Sequence, residues 1–197
     1  MSWHRAARVL RSVREDLNVV VARDPATTSV TEALLHPCVP AMWMYRLAHP
    51  LHRRHRVAAR LLSTFGRLVS GGIEIHPGAT LGRRVFIDHG AGVVIGETAV
   101  VGDDVTIYQH VTLGAVGWWR DNLRAAGQRR HPRLGDRVVV GANATLLGPI
   151  EVGDDAVIGA QALVTADVAA SAHLIAPRAV TASRGSRGAT VTRIASS

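Results

Sequence analysis

Leu134-Gly-Asp-Arg-Val-Val-Val140-Gly-Ala-Asn-Ala-Thr-Leu146-Leu-Gly-Pro-Ile-Glu-Val152-Gly-Asp-Asp-Ala-Val-Ile158-Gly-Ala-Gln-Ala-Leu-Val164 places an aliphatic residue at every sixth position and a glycine directly after four of them. The same spacing runs upstream through Ile75, Leu81, Ile87 and Val93. After a two-residue slip it resumes through Ile95, Val101, Ile107 and Leu113. Gly82, Gly96, Gly102 and Gly114 again follow the aliphatic directly. A helix of 3.6 residues per turn cannot keep one residue in six on a single face, and a flat strand of period two needs no glycine at that interval. A triangular parallel β-helix accounts for both. Each side is a short strand and a turn, and the aliphatic points into a narrow prism. The residue after it turns a tight corner where a Cβ would clash. Stacked coils bury a continuous aliphatic ladder, and no coil is stable alone. The blocks amount to about five coils.

Composition agrees. Aromatic residues make up 4% of the 197 residues, as a prism that admits Val, Ile and Leu more easily than rings would require. The length suits one compact domain, or one with a small appendage. A single cysteine, Cys38, excludes an intrachain disulfide and any zinc site built on several cysteines. No uncharged apolar run is long enough to span a membrane, and Met1-Ser-Trp-His-Arg-Ala-Ala-Arg8 lacks the apolar block of a signal peptide. A cytoplasmic location is therefore expected. The formal charge is +8, and all 23 basic residues are arginine. They are spread along the chain and form no tract, so nucleic acid is not the expected partner. A phosphate-bearing small ligand would use the same field.

Residues 1–70 are written differently. Val9, Leu10, Val13, Leu17, Val20 and Val21 form a helical stripe, with Arg8, Arg11, Arg14 and Glu15 largely opposite. Asp24-Pro25 stops it. Ser29 or Thr31 caps a second helix, and 40–52 and 55–69 read as further helices. The expected organisation is an α-helical domain over 1–70 and the β-helix over 71–170, with a loop extruded at 114–133. A C-terminal segment and tail follow over 171–197, with Ser183–Ser197 read as flexible.

Ile87-Asp-His-Gly-Ala-Gly-Val-Val-Ile-Gly-Glu-Thr-Ala-Val100, Val111-Thr-Leu-Gly114 and Arg130-His131-Pro132 resemble the hexapeptide-repeat serine O-acetyltransferases. Arg23-Asp24-Pro25-Ala26 and Tyr45-Arg46-Leu47-Ala48-His49 match that family's helical region in order and approximate spacing. The resemblance covers roughly residues 20–170. It implies a left-handed parallel β-helix behind an N-terminal α-helical domain, assembled as a homotrimer or a dimer of trimers, with sites between neighbouring prisms. It also implies acetyl transfer from acetyl-CoA to the hydroxyl of L-serine, in cysteine biosynthesis, with no metal.

Such a reaction needs a base, because an alcohol is a poor nucleophile at neutral pH, and histidine is the side chain best matched to that task. His89, beside Asp88 in a repeat otherwise made of small apolar residues, resembles the family's general base. Glu74, fifteen positions earlier, stands where the family usually has an orienting Asp. Arg130 matches the residue that grips the substrate carboxylate, for which its planar fork is suited. His131 matches the second active-site histidine. Asp24 and Asp88 match carboxylates placed near the substrate amine. For acetyl-CoA the resemblance indicates Gly114, Gly141, Ala142, Ala144 and Gly159, with Arg178 in place of a lysine that this chain lacks.

The interruption between Leu113 and Leu134 is longer than the family's loop and carries Trp118 and Trp119. It reads either as a loop packed on a neighbouring subunit or as a lid over a changed acceptor pocket. The acceptor is thus L-serine or, in a related enzyme, another hydroxyl compound. A zinc lyase on the same prism would draw on His76, His89, His110 and His131, but their spacing does not match. A complex with a downstream cysteine-forming enzyme through a terminal isoleucine is not expected, since the sequence reads Ile194-Ala-Ser-Ser197.

Overall fold

The computed structural model describes residues 3–125, 127–177, 180–183 and 190–193. Helices come first. α1 (Trp3–Arg23) stops at the residue before Asp24-Pro25. α2 (Val30–Ala33) is a single turn capped by Ser29, whose Oγ accepts the Glu32 N–H at 3.2 Å. α3 spans Cys38–Ala48, and a 3₁₀ turn over His49–Leu51 leads toward α4 (Arg56–Val69).

The chain then winds as minimal strands. The first coil holds β1 (Glu74–Ile75), β2 (Thr80–Leu81) and β3 (Phe86–Ile87). The second holds β4 (Val94–Ile95), β5 (Val100–Val101) and β6 (Thr106–Ile107). The third holds β7 (Thr112–Gly114), β8 (Arg133–Leu134) and β9 (Val139–Val140), with a loop and the short α5 (Trp118–Asp121) between β7 and β8. β10 (Thr145–Leu147), β11 (Glu151–Val152), β12 (Val157–Ile158), β13 (Leu163–Val164) and β14 (His173–Leu174) complete the prism. Its first wall stacks β1-β4-β7-β10-β13, its second β2-β5-β8-β11 and its third β3-β6-β9-β12-β14. All of these neighbours pair in parallel, the arrangement of a left-handed β-helix of hexapeptide repeats.

The register corrects one rung. Ile75 pairs with Ile95, which pairs with Leu113, so Ile95 and not Val93 belongs to the inward ladder. The two extra residues between Ile87 and Ile95 swell the corner that holds Asp88 and His89. Val93 instead joins a second buried file two residues before each rung, with Ile73, Ala79, Val85, Val105 and Val111. The glycines avoid a Cβ clash, as the sequence reading expects, but the clash is with the neighbouring coil and not with the turn itself. A Cβ on Gly82 would lie 2.6 Å from the Gly102 carbonyl oxygen, and one on Gly141 2.6 Å from the Ala160 nitrogen. Glycine therefore follows the rung because the next coil's backbone leaves no room. The left-handed backbone of the turn falls two residues later, as at Arg84, Asp104 and Asn143.

The helical half is fastened to the prism by polar contacts. Tyr45 donates its hydroxyl to the Ala79 carbonyl at 2.8 Å and accepts the Leu81 N–H at 3.0 Å. Asp16 is fully buried, and its two oxygens accept the Nε–H and an NH2 proton of Arg46, each at 2.7 Å. The stripe read on α1 thus contains a buried carboxylate that hydrophobic periodicity conceals. Arg23 reaches the Asp104 carbonyl at 3.0 Å and Thr106 Oγ1 at 2.9 Å, pinning the end of α1 to the second coil. Cys38 is buried with its thiol pushed up to about 12 by desolvation, so it is inert. Along α4, Val57, Leu61, Phe65 and Leu68 remain exposed. Among the described residues no helix is long and apolar enough to cross a membrane. Within the C-terminal segment, β15 (Val180–Ser183) and β16 (Thr190–Arg193) pair antiparallel.

Candidate active site

Two groups of polar side chains stand at two different corners of the prism. The first corner joins the third wall to the first. There Asp88 and His89 follow β3, and His89 adopts φ +55°, a left-handed conformation that histidine tolerates better than most residues. The swollen turn throws the imidazole outward, leaving its side chain 76% exposed. The end of α1 brings Asp24 to the same place. Thr27 Oγ1 donates to Asp24 Oδ2 at 2.6 Å and the Ala26 N–H donates to Oδ1 at 2.9 Å, which hold this carboxyl below the usual range. His36 completes the group, with Nε2 at 4.0 Å from Asp24 Oδ2 and its ring 5.6 Å from that of Phe86. Burial lowers the pKa of His36, while the charges of Asp24 and Asp88 pull the other way. The result is an exposed imidazole bracketed by carboxylates. His36 carries no repeat or motif that would have singled it out.

Glu74 does not take the place expected of it. Its Oε2 lies 3.1 Å from an NH1 of Arg67 on α4, and the carboxylate within 4.0 Å of the His89 ring is Asp88, whose Oδ1 is 3.8 Å from Nε2. The longer Glu side chain reaches a cation on the neighbouring helix instead of the imidazole. At 3.8 Å Asp88 is an electrostatic neighbour of His89 and not a hydrogen-bond acceptor.

The second corner joins the first wall to the second. It carries Glu97 and Thr98, and the long loop returns there with Arg130 and His131. Arg130 pairs with Glu97. His131 is largely buried against Gly96, where an added Cβ would lie 2.0 Å from its Cδ2. Burial, and then the adjacent Arg130 charge, lower its pKa and favour the neutral ring. Arg129 locks the loop's return by donating to the carbonyls of His131 at 3.1 Å and Ile150 at 2.9 Å. Trp118 and Trp119 stack edge to face at 6.1 Å and stay exposed.

His52, His76 and Glu97 offer one ligand atom each within 4.8 Å of one another. The donor set does not suit a cation. Glu97 is already paired with Arg130 and Arg56, and the Gly78 N–H donates to His76 Nδ1 at 3.0 Å, placing that ring's proton on Nε2.

Of the residues indicated for acetyl-CoA, Gly141, Ala142 and Gly159 follow β9 and β12 on the same corner as His89, higher on the prism. Gly114 ends β7 at the root of the loop. Ala144 is a correction. It is fully buried, its N–H donates to the Gly141 carbonyl and its own carbonyl accepts from the Thr112 N–H, so it sits in the wall of the prism and not on its surface. Arg178 lies outside the described residues.

The family described as "Bacterial transferase hexapeptide (six repeats)" matches residues 131–166. The chain is 48% identical over 169 residues to a serine acetyltransferase of Mycobacterium tuberculosis, covering 85% of this chain and 70% of that protein. It is 51% identical over 167 residues to one of Helicobacter pylori, covering 84% and 93%. Among solved structures, serine acetyltransferase isoform 3 of Entamoeba histolytica in complex with cysteine superposes with a TM-score of 0.81 at 34% identity, over 93% of this chain and 63% of that one. The Neisseria gonorrhoeae enzyme in complex with serine gives 0.75 at 34% identity, over 93% and 69%. The chain thus spans less than two thirds of the amoebic protein.

Proposed function

The chain belongs to the serine acetyltransferase family, and from that premise we propose that it transfers the acetyl group of acetyl-CoA to the hydroxyl of L-serine, giving O-acetyl-L-serine and CoA. The observation that carries this reading is the exposed His89 imidazole standing with Asp24 and Asp88 at one prism corner. His89 removes the serine hydroxyl proton as the oxygen attacks the thioester carbonyl. It returns that proton to the sulfur as CoA leaves. Asp24, kept ionised by Thr27 and Ala26, and Asp88 attract the substrate ammonium. Arg130 suits the carboxylate once it exchanges Glu97 for substrate.

These roles need two corners to meet. Among the described residues no hydrogen bond or ion pair joins the Asp24–Asp88–His89 group to the Arg130–His131 group. A second copy of the prism, presenting its loop corner to the His89 corner, brings them together. We therefore read the protein as a homotrimer or a dimer of trimers, with the apolar face of α4 supporting association. The glycine corners of successive coils lie along the same cleft, where backbone donors suit the pantetheine arm. The glycine and alanine positions leave room for it. The division proposed for the chain is helices over 1–70, prism over 71–170 and a C-terminal segment over 171–197. The location proposed is the cytoplasm, on the need for acetyl-CoA.

A CoA-release assay over a panel of hydroxyl compounds tests the reading. L-Serine is expected to be the best acceptor. Ethanolamine, which lacks the carboxylate, is expected to fall by about tenfold or more, the loss of one charge-assisted pairing. Turnover of another alcohol with none of L-serine would overturn it.

A further inference from the structure

Thr98 lies in the stretch Gly96-Glu-Thr-Ala-Val100 and has no part in the chemistry described so far. Its hydroxyl oxygen accepts two backbone N–H groups, from Arg130 at 2.9 Å and from His131 at 3.2 Å. A hydroxyl has two acceptor lone pairs and one proton. With both lone pairs committed, the proton is left for His131 Nδ1, 2.8 Å away. The backbone N–H of Thr98 also donates to that same Nδ1, at 3.2 Å. A ring nitrogen that receives an N–H carries no proton of its own, so the neutral imidazole keeps its proton on Nε2. The ring reaches Thr98 by lying flat on Gly96, where a Cβ would sit 2.1 Å from Nε2. Glycine at 96 and threonine at 98 therefore serve one geometry.

We propose that Thr98 is a positioning residue that fixes His131 as a neutral Nε2–H donor, so that His131 hydrogen-bonds an anionic oxygen of the reacting pair and takes no proton from it. This rests on the acetyl-transfer reading of the site. It divides the labour between the two histidines. His89 stands exposed with its ring free to accept a proton. His131 has its acceptor nitrogen occupied from within and presents only a donor, the arrangement that favours negative charge developing in a transition state.

The test is two-bond ¹⁵N–¹H correlation spectroscopy of histidine-labelled, full-length protein. The His131 signals are assigned by their loss in His131→Gln. At neutral pH the expected pattern is a protonated Nε2 and an unprotonated Nδ1. In Thr98→Val the hydroxyl is gone. One of the two donors to Nδ1 is then lost and only the longer backbone N–H contact at 3.2 Å remains, so the expected result is a partly mixed tautomer and a kcat lower by about tenfold or more, with the KM for acetyl-CoA unchanged. Thr98→Ser is expected to restore both tautomer and kcat. A wild-type His131 with its proton on Nδ1 would overturn the proposal, as would a folded Thr98→Val that keeps both the tautomer and the kcat. The tautomer is read without substrate, so failure of the acetyl-transfer reading would show separately, as absent turnover with the expected spectrum.

Discussion

Replacing His89 by asparagine is expected to lower kcat by about 10²–10⁴-fold, the contribution of a positioned base, with little change in KM or in thermal stability. Asparagine is the informative replacement because of the backbone. His89 sits at φ +55°, where a Cβ-bearing residue without a short polar side chain is strained. The prism already accepts asparagine in that conformation, at Asn143 with φ +60° in a later coil of the same corner. The side chain is exposed, so its removal opens no cavity. A large fall in kcat with an unchanged melting curve identifies a lost chemical group. Activity within a few-fold of wild type would remove His89 from the mechanism.

The largest effect expected on stability comes from Asp16. Asp16→Ala leaves the Arg46 guanidinium, itself only 10% exposed, without its fork partner. Breaking one side of a buried ion pair costs about 3–5 kcal/mol, which for a chain of this size corresponds to a fall in Tm of roughly 10 °C. The double variant Asp16→Leu with Arg46→Met removes both charges and keeps apolar volume. It is expected to be markedly more stable than Asp16→Ala. A single variant that melts within a degree or two of wild type would show that the pair contributes nothing to holding α1 against α3. Calorimetry of the three proteins decides it.

The fold was legible because the prism repeats its demands. Each coil needs an aliphatic at the rung and no Cβ beside the coil above, so the pattern in Ile75, Leu81 and Ile87 restates itself to Val164. What was misread was local. Val93 was in phase by counting, yet the swollen corner at Asp88–Gly92 moved the rung to Ile95. Spacing cannot tell an insertion in a turn from one in a strand. The proposed site shows the same division. His89, Asp88, Asp24, Arg130 and His131 sit inside short motifs, so sequence could nominate them together, and the structure places them at two corners. The Glu74 side chain lies against Arg67, from a helix whose approach no repeat encodes. Ala144 is buried, and a ladder position and a groove position look alike in a run of small residues. Asp16 was hidden by the apolar stripe around it, and His36 by having no pattern at all.

The central claim is that a working site takes its base from one protomer and its Arg130–His131 pair from the next. Co-assembly of two inactive variants measures this directly. His89→Asn and His131→Gln chains carrying different affinity tags are produced together, and mixed trimers are isolated through both tags in turn. In each mixed trimer one interface in three joins an intact His89 to an intact His131. Turnover per trimer is therefore expected to recover to about a third of wild type, far above either variant alone. Mixed trimers no more active than the two parents would contradict the account, because a site complete within one chain cannot be repaired by a neighbour.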